Sequence, residues 1–190
     1  LFAGARRDGD LESCLYEFCT AAKIELLSLS VDLENDPQWD ITLPDTFYRL
    51  YELAVEGLID LGTAGPPCST WSRLRFLPGG PRPLRFRSSP WGRPDLTRAE
   101  RLRVNEANIC MLHALALLEA IIIRGGLGLL EHPEDPAVEP MPSVWATEEM
   151  ELFLVRTGCR KHSLEQCAFD APTKKPTGLA SNIPGIPDQG

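Results

Sequence analysis

The chain has 190 residues, 43% of them apolar and 24% charged, enough for one domain with a sizeable core and far from the composition of a disordered chain. Its net charge of −8 excludes a protein that engages nucleic acid with its whole surface. Six cysteines at scattered spacings, with no visible secretory signal, are expected as free thiols in a reducing, intracellular compartment rather than as disulfides.

Leu1 to Gly4 reads as the end of a strand already under way, and Gly4 to Gly9 as a glycine turn into a helix over 10–23. The apolar run Ile24 to Val31 predicts a buried strand ending at Asp32. Asp45 is placed to cap a helix running to about Glu56. Two more apolar runs, Leu58 to Thr63 and Gly126 to Leu130, predict further buried strands. Between them Thr97-Arg-Ala-Glu100 has the pattern of a capping box, opening a helix that stops at Gly125-Gly126. Ser143 to Thr157 predicts another helix and His162 to Phe169 a late strand. The Pro/Gly-rich segment 171–190 reads as a tail with little core potential, so the domain is expected over 1–170. Alternating strands and helices predict an α/β fold, a mostly parallel sheet with helices on both faces.

In such sheets ligands gather beyond the carboxyl ends of the strands, and special residues cluster at those places here. Asp32 stands where nucleotide-binding sheets put an acid for ribose hydroxyls, and Asp40 follows it. Pro66-Pro67-Cys68 follows a strand, so two rigid residues present a thiol at the sheet rim, near arginines that favour a thiolate. Glu131-His132 follows another strand, where a carboxylate can exchange protons. Residues 73–103 hold nine arginines against two acids, a net +7 on an otherwise acidic body, which suggests one local polyanion contact. Residues 73–96 are expected to be poorly packed. Cys159, His162 and Cys167 lack a fourth ligand at a sensible spacing, and no metal site is expected.

Taken in order, LFAGARRDGD, SVDLENDP, WDIT, GPPCSTWSR, LLEHPEDP and EQCAFDAPTKKPT resemble the DNA cytosine-5 methyltransferase family, in particular its compact, divergent members. The resemblance covers nearly the whole chain and implies a Rossmann-like methyltransferase fold with S-adenosyl-L-methionine as cofactor and DNA as partner. It implies Phe2, Gly4, Asp32, Asp40 and Pro66 on the cofactor side and Cys68, Pro67 and Glu131 at the chemistry. Arg73, Arg75, Arg85, Arg87, Gln166, Lys174 and Lys175 are implied at the nucleic acid. His132 stands where the family has Asn, and lysines stand where it has arginines. The given residues show no match to the family's target-recognition region, which is expected on sequence outside them or on another chain, and a module that binds nucleic acid without methylating it is an alternative. An RNA cytosine methyltransferase and a generic nucleotide-binding α/β enzyme are also compatible.

Overall fold

The computed structural model describes residues 1–2, 9–169 and 175–186. Four α-helices and four strands are assigned among them: α1 (Leu11–Ala22), α2 (Pro44–Val55), β1 (Leu61–Ala64), α3 (Arg98–Ile123), β2 (Leu127–Pro133), α4 (Glu148–Thr157), β3 (Arg160–Glu165) and β4 (Pro176–Ser181).

Local chemistry explains most of the boundaries. Thr97 and Glu100 form the reciprocal capping box that opens α3, the Thr97 backbone N–H donating to Glu100 Oε2 at 2.8 Å. Gly158, with φ of 68°, closes α4 in a left-handed conformation that suits glycine. Asp10 rather than a glycine caps α1, accepting from Ser13 N–H at 2.8 Å. At α2 the helix begins one position before the expected cap: Pro44 fills the first turn, where its missing N–H costs nothing, and Asp45 lies inside the helix.

The sheet order is β1-β2-β4-β3. β1 and β2 are parallel, pairing Leu61 with Leu127 and Ala64 with Leu130. β4 runs antiparallel to both β2 and β3. The sheet is therefore mixed, not mostly parallel. The correction comes from the segment expected to be a tail. Residues 176–181 lie between two strands, and Thr177, Ala180 and Ser181 are buried. Pairing along both edges satisfies their backbone groups despite a sequence that reads as turn. Leu1 extends the sheet beyond β1: its nitrogen donates to Thr63 O at 2.6 Å and its carbonyl accepts from Gly65 N–H at 3.3 Å. Beyond it, Phe2 N–H donates to Val31 O at 2.8 Å. The run Ile24 to Val31 is thus next in line but forms no assigned strand, and Leu27 is 96% exposed.

α3 covers one face of β1 and β2, and α2 and α4 pack against α3. Gly62 and Gly128 let the helix approach: a Cβ on either would lie 2.6 Å from an isoleucine of α3, Ile121 or Ile122. By length and composition α3 could cross a membrane, with mean hydropathy 1.7 over its most apolar window. Here Met111, Ala114 and Leu118 are instead fully buried among Leu130, Met150 and Phe153. On the opposite face, where Leu129 and Glu131 point by the alternation of the strand, the first turn of α1 closes a cavity.

Residues 73–96 are better packed than their composition suggested. Leu84 and Leu96 form a small core with Val104 of α3, and the Arg93 guanidinium lies 4.4 Å over the Phe86 ring. Leu84 and Arg85 are 1% and 0% exposed, which overturns the expectation of a loosely packed loop.

Candidate functional site

The carboxyl ends of β1 and β2 deliver two groups to one rim. β1 exits through Gly65-Pro66-Pro67 to Cys68, with Pro66 buried and Pro67 exposed. β2 ends in Glu131-His132-Pro133. The Glu131 carboxylate sits against the β1 exit: a Cβ on Gly65 would lie 3.6 Å from Glu131 Oε2. Lys175, just before β4, reaches the same place and donates to Glu131 Oε1 at 3.3 Å. Cys68, Glu131 and Lys175 therefore share one electrostatic neighbourhood.

Burial pushes the Cys68 thiol above its ordinary pKa, Lys175 pulls it down and Glu131 pushes it up again. Burial wins, so the resting group is a thiol. The expectation of a thiolate favoured by nearby arginines is corrected: the cation acting on Cys68 is Lys175.

Arg85 occupies a different position from the one implied for it. The resemblance placed it on nucleic acid, but its guanidinium is inside the protein. Nε and Nη2 donate to Thr70 Oγ1 at 3.0 and 2.9 Å, and Nη1 donates to Pro90 O and Asn108 Oδ1, both at 2.7 Å. Nη2 also reaches Val104 O at 3.3 Å, and the group lies 4.1 Å over the Trp71 ring. Burial and the nearby charge of Arg75 lower its pKa to about 9. All its hydrogen-bond partners are neutral. It thus ties the Cys68–Trp71 turn, whose Trp71 N–H donates to Cys68 O at 2.9 Å, to α3.

The other implied nucleic-acid contacts divide. Arg87 is committed to Asp135 through two bonds of 2.8 and 3.0 Å, and Arg75 to the carbonyls of Ser69 and Arg82 at 2.8 and 3.0 Å. These bonds account for donors that a phosphate contact would need. Arg73 is exposed, and its side chain makes no hydrogen bond or ion pair among the described residues. The backbone N–H of Gln166 donates to Lys175 O at 3.2 Å, outside both cavities described next. Gly4 and Lys174 lie outside the described residues.

Two cavities flank the rim. One, of about 230 Å³, is lined by Leu1, Phe2, Glu12, Ser30, Leu129 and Glu131 among others. It holds Phe2 as implied, but neither Asp32, Asp40 nor Pro66 lines it. Asp40 Oδ1 instead accepts from Thr42 N–H and Oγ1 at 2.9 and 2.6 Å, and Asp32 Oδ1 from Glu34 N–H at 2.8 Å. Glu12 and Ser30, hydrogen-bonded to one another, were missed by the sequence reading. Their only sequence signal was position, one at a helix start and the other beside a strand end.

The second cavity, of about 390 Å³, opens beside Cys68 on the face that carries α3; Trp71, Arg73, His132, Pro133 and Pro142 contribute to its walls. His132 is 1% exposed, and burial, then the charges of Arg85 and Lys175, lower its pKa to about 3. Among the described residues, no group of three His, Cys, Asp or Glu side chains stands close enough to hold a metal ion.

His132 gives stability a signed pH dependence. Below its ordinary pKa of 6.5 the unfolded chain binds a proton that the folded chain excludes down to about pH 3. Stability therefore falls as acid is added through that window, at up to about 1.4 kcal/mol per pH unit. Urea unfolding at pH 7 and pH 5 should show wild type losing about 2 kcal/mol more than His132→Phe. Equal losses would mean that His132 takes up its proton in the folded state.

The chain matches no protein-family model, no curated protein and no solved structure at significant similarity.

Proposed function

We propose that this chain is the core of an S-adenosylmethionine-dependent cytosine-5 methyltransferase acting on DNA, its sheet a Rossmann-like methyltransferase sheet. The observation that carries this reading is the convergence of Cys68 and Glu131. They leave adjacent parallel strands, Glu131 acts on the Cys68 thiol, and the pair stands between two cavities.

The cavity beside Phe2 has the chemistry the cofactor needs. Phe2, Leu11 and Leu129 offer apolar surface to an adenine, and Asp10, Glu12 and Glu131 offer carboxylates to hydroxyls and a cationic sulfonium. Bound there, S-adenosylmethionine supplies the methyl that becomes attached to carbon 5.

The side chains account for the remaining chemistry. Cys68 rests as a thiol, so its proton must leave as sulfur attacks carbon 6. Glu131, the carboxylate that acts on it, accepts that proton and passes it to ring nitrogen 3. The electron pair of the 5,6 double bond then moves to carbon 5. Lys175 donates to Glu131 and offsets the negative charge developing on sulfur. After methylation, carbon 5 loses its proton to solvent, the sulfur–carbon 6 bond breaks, and nitrogen 3 returns its proton. A base inside a duplex cannot reach Cys68, so the target nucleotide must be extruded or single-stranded. Transfer of labelled methyl to cytosine-containing DNA, absent with fully 5-methylated DNA, tests this directly; no transfer to DNA with transfer to RNA would favour the RNA alternative.

The arginines give a second expectation. Arg73→Ala should weaken DNA binding and lower the slope of log affinity against log salt by about 1. Arg87→Ala should leave the slope alone and lower stability by at most about 1 kcal/mol, because its partly exposed partner is Asp135. Equal slope changes in both variants would show that the Arg87–Asp135 pair opens to meet phosphate.

A further inference from the structure

The outward face of α3 is apolar where a surface helix is normally polar. Leu102, Ile109, Leu112 and Ile123 are 37–62% exposed, and only half of the helix's most apolar window is buried. Asn105, Ala116 and Glu119 fill the steps between them, so the face advances by three and four residues in alternation from Leu102 to Ile123. That repeat of 3.5 residues is the spacing of a seam between two paired helices, sustained here over about 32 Å.

The neighbouring helices leave this seam open. On one side Phe47 of α2 stacks on His113 with ring centroids 3.9 Å apart, and on the other Arg156 of α4 reaches Glu119 at 3.5 Å. Charge along the seam is segregated, with Arg98 and Arg101 at its start and Glu119 near its end. The Arg98 side chain makes no hydrogen bond or ion pair among the described residues, and that of Arg101 makes one, of 3.4 Å to Leu96 O. Among the same residues Glu119 holds only the Arg156 contact, at the outer limit of a hydrogen bond. Both ends of the seam thus keep charge available for a partner.

We infer that the α3 seam pairs with the same seam on a second copy of this chain, the two helices antiparallel and crossing at about 20°. In that direction the seam is complementary to itself. With Ile109 opposite the second copy's Leu112, Asn105 meets its Ala116, whose small side chain leaves room for the amide, and Arg98 and Arg101 come within a turn of its Glu119. Twofold symmetry makes each contact twice. A parallel pair would instead set Glu119 against Glu119 and Arg98 against Arg98. A single Asn in such a seam fixes the register. A strip about 32 Å long and one helix wide covers roughly 350 Å², less than half of the ~800 Å² that a stable interface takes from each partner. The dimer is therefore reversible at micromolar concentrations, not obligate.

Sedimentation equilibrium from about 1 to about 100 µM tests this without DNA or cofactor, so its outcome is separate from that of methyl transfer. The mass should rise from 21.0 kDa toward twice that value. Ile109→Glu and Leu112→Glu, both at exposed positions, should each weaken association at least about tenfold and leave Tm unchanged. Glu119→Arg should weaken it about tenfold, and so should Arg98→Glu combined with Arg101→Glu. Mixing these two charge-reversed proteins should restore association, because every seam contact is then again between opposite charges. A wild-type chain that stays at 21.0 kDa throughout overturns the inference, as does a dimer indifferent to Ile109→Glu and Leu112→Glu. A monomer that floats with phosphatidylcholine vesicles, and stops doing so in the same two variants, overturns it by giving the seam to a lipid surface. Charge-reversed proteins that associate as tightly as wild type overturn the antiparallel arrangement.

Discussion

Cys68→Ser is expected to abolish methyl transfer, by on the order of 10³-fold or more, while leaving S-adenosylmethionine affinity unchanged. The two effects separate because the groups are on different walls. Cys68 borders the cavity on the α3 face, and the cavity assigned to the cofactor is bounded by Phe2, Glu12, Ser30 and Glu131. A serine hydroxyl is nearly isosteric but holds its proton far more tightly, so Glu131 has no usable acid to deprotonate. A fall in cofactor affinity equal to the loss of transfer would make the thiol a structural group. The raised pKa adds a signature. Alkylation of Cys68 by iodoacetamide should accelerate at a higher pH than that of an ordinary thiol, and Lys175→Met should move that profile higher still, since Lys175 opposes the shift.

The second large effect belongs to Arg85. Arg85→Met is expected to lower stability by roughly 3 kcal/mol or more, because it strands acceptors contributed by Thr70, Pro90, Val104 and Asn108 in the interior. For a chain of this size that corresponds to a fall in Tm of on the order of 10 °C. Methionine removes the cost of burying a charge but satisfies none of the four residues, so the loss outweighs the relief. Arg85→Lys keeps the charge but cannot span the same acceptors and should recover only part of the loss. Thermal unfolding of the three proteins decides it. Unchanged stability with weakened, less salt-dependent DNA binding would return Arg85 to the nucleic-acid surface.

How far these features can be read from the chain alone depends on whether the signal is local. The helix opened by Thr97 and Glu100 and the strands ending at Ala64 and near Leu130 are legible because caps, glycine stops and apolar runs are adjacent in sequence. The rim positions of Cys68 and Glu131 follow from those strands, since two of them are parallel and present their carboxyl ends together. β4 is not legible in the same way. PTGLAS contains a proline and a glycine, and only pairing with β2 and β3 along both edges makes it a strand. Gly178 in its middle is needed because Trp145 lies where a Cβ would point, 2.6 Å away.

Arg85 fails for a related reason. Among nine arginines in one segment, charge reads as surface, and nothing local distinguishes the one whose neutral acceptors come from the Cys68 turn, its own loop and α3. The cofactor side is legible only in part. Phe2 reaches the cavity, but Asp40 is consumed by its own turn through Thr42, an arrangement that the sequence Asp-Ile-Thr permits without announcing. Glu12 and Ser30 meet only because α1 folds back against the extended segment that precedes Asp32.

The measurement closest to the central claim is covalent trapping on DNA that carries 5-fluorocytosine, in the presence of S-adenosylmethionine. Fluorine at carbon 5 cannot leave as a proton does, so sulfur cannot be expelled once the methyl is in place. A protein–DNA species that survives denaturant, requires the cofactor and disappears in Cys68→Ser is the predicted result. Cofactor binding without any such adduct, on both single-stranded and duplex DNA, would contradict the assignment of Cys68 as the nucleophile.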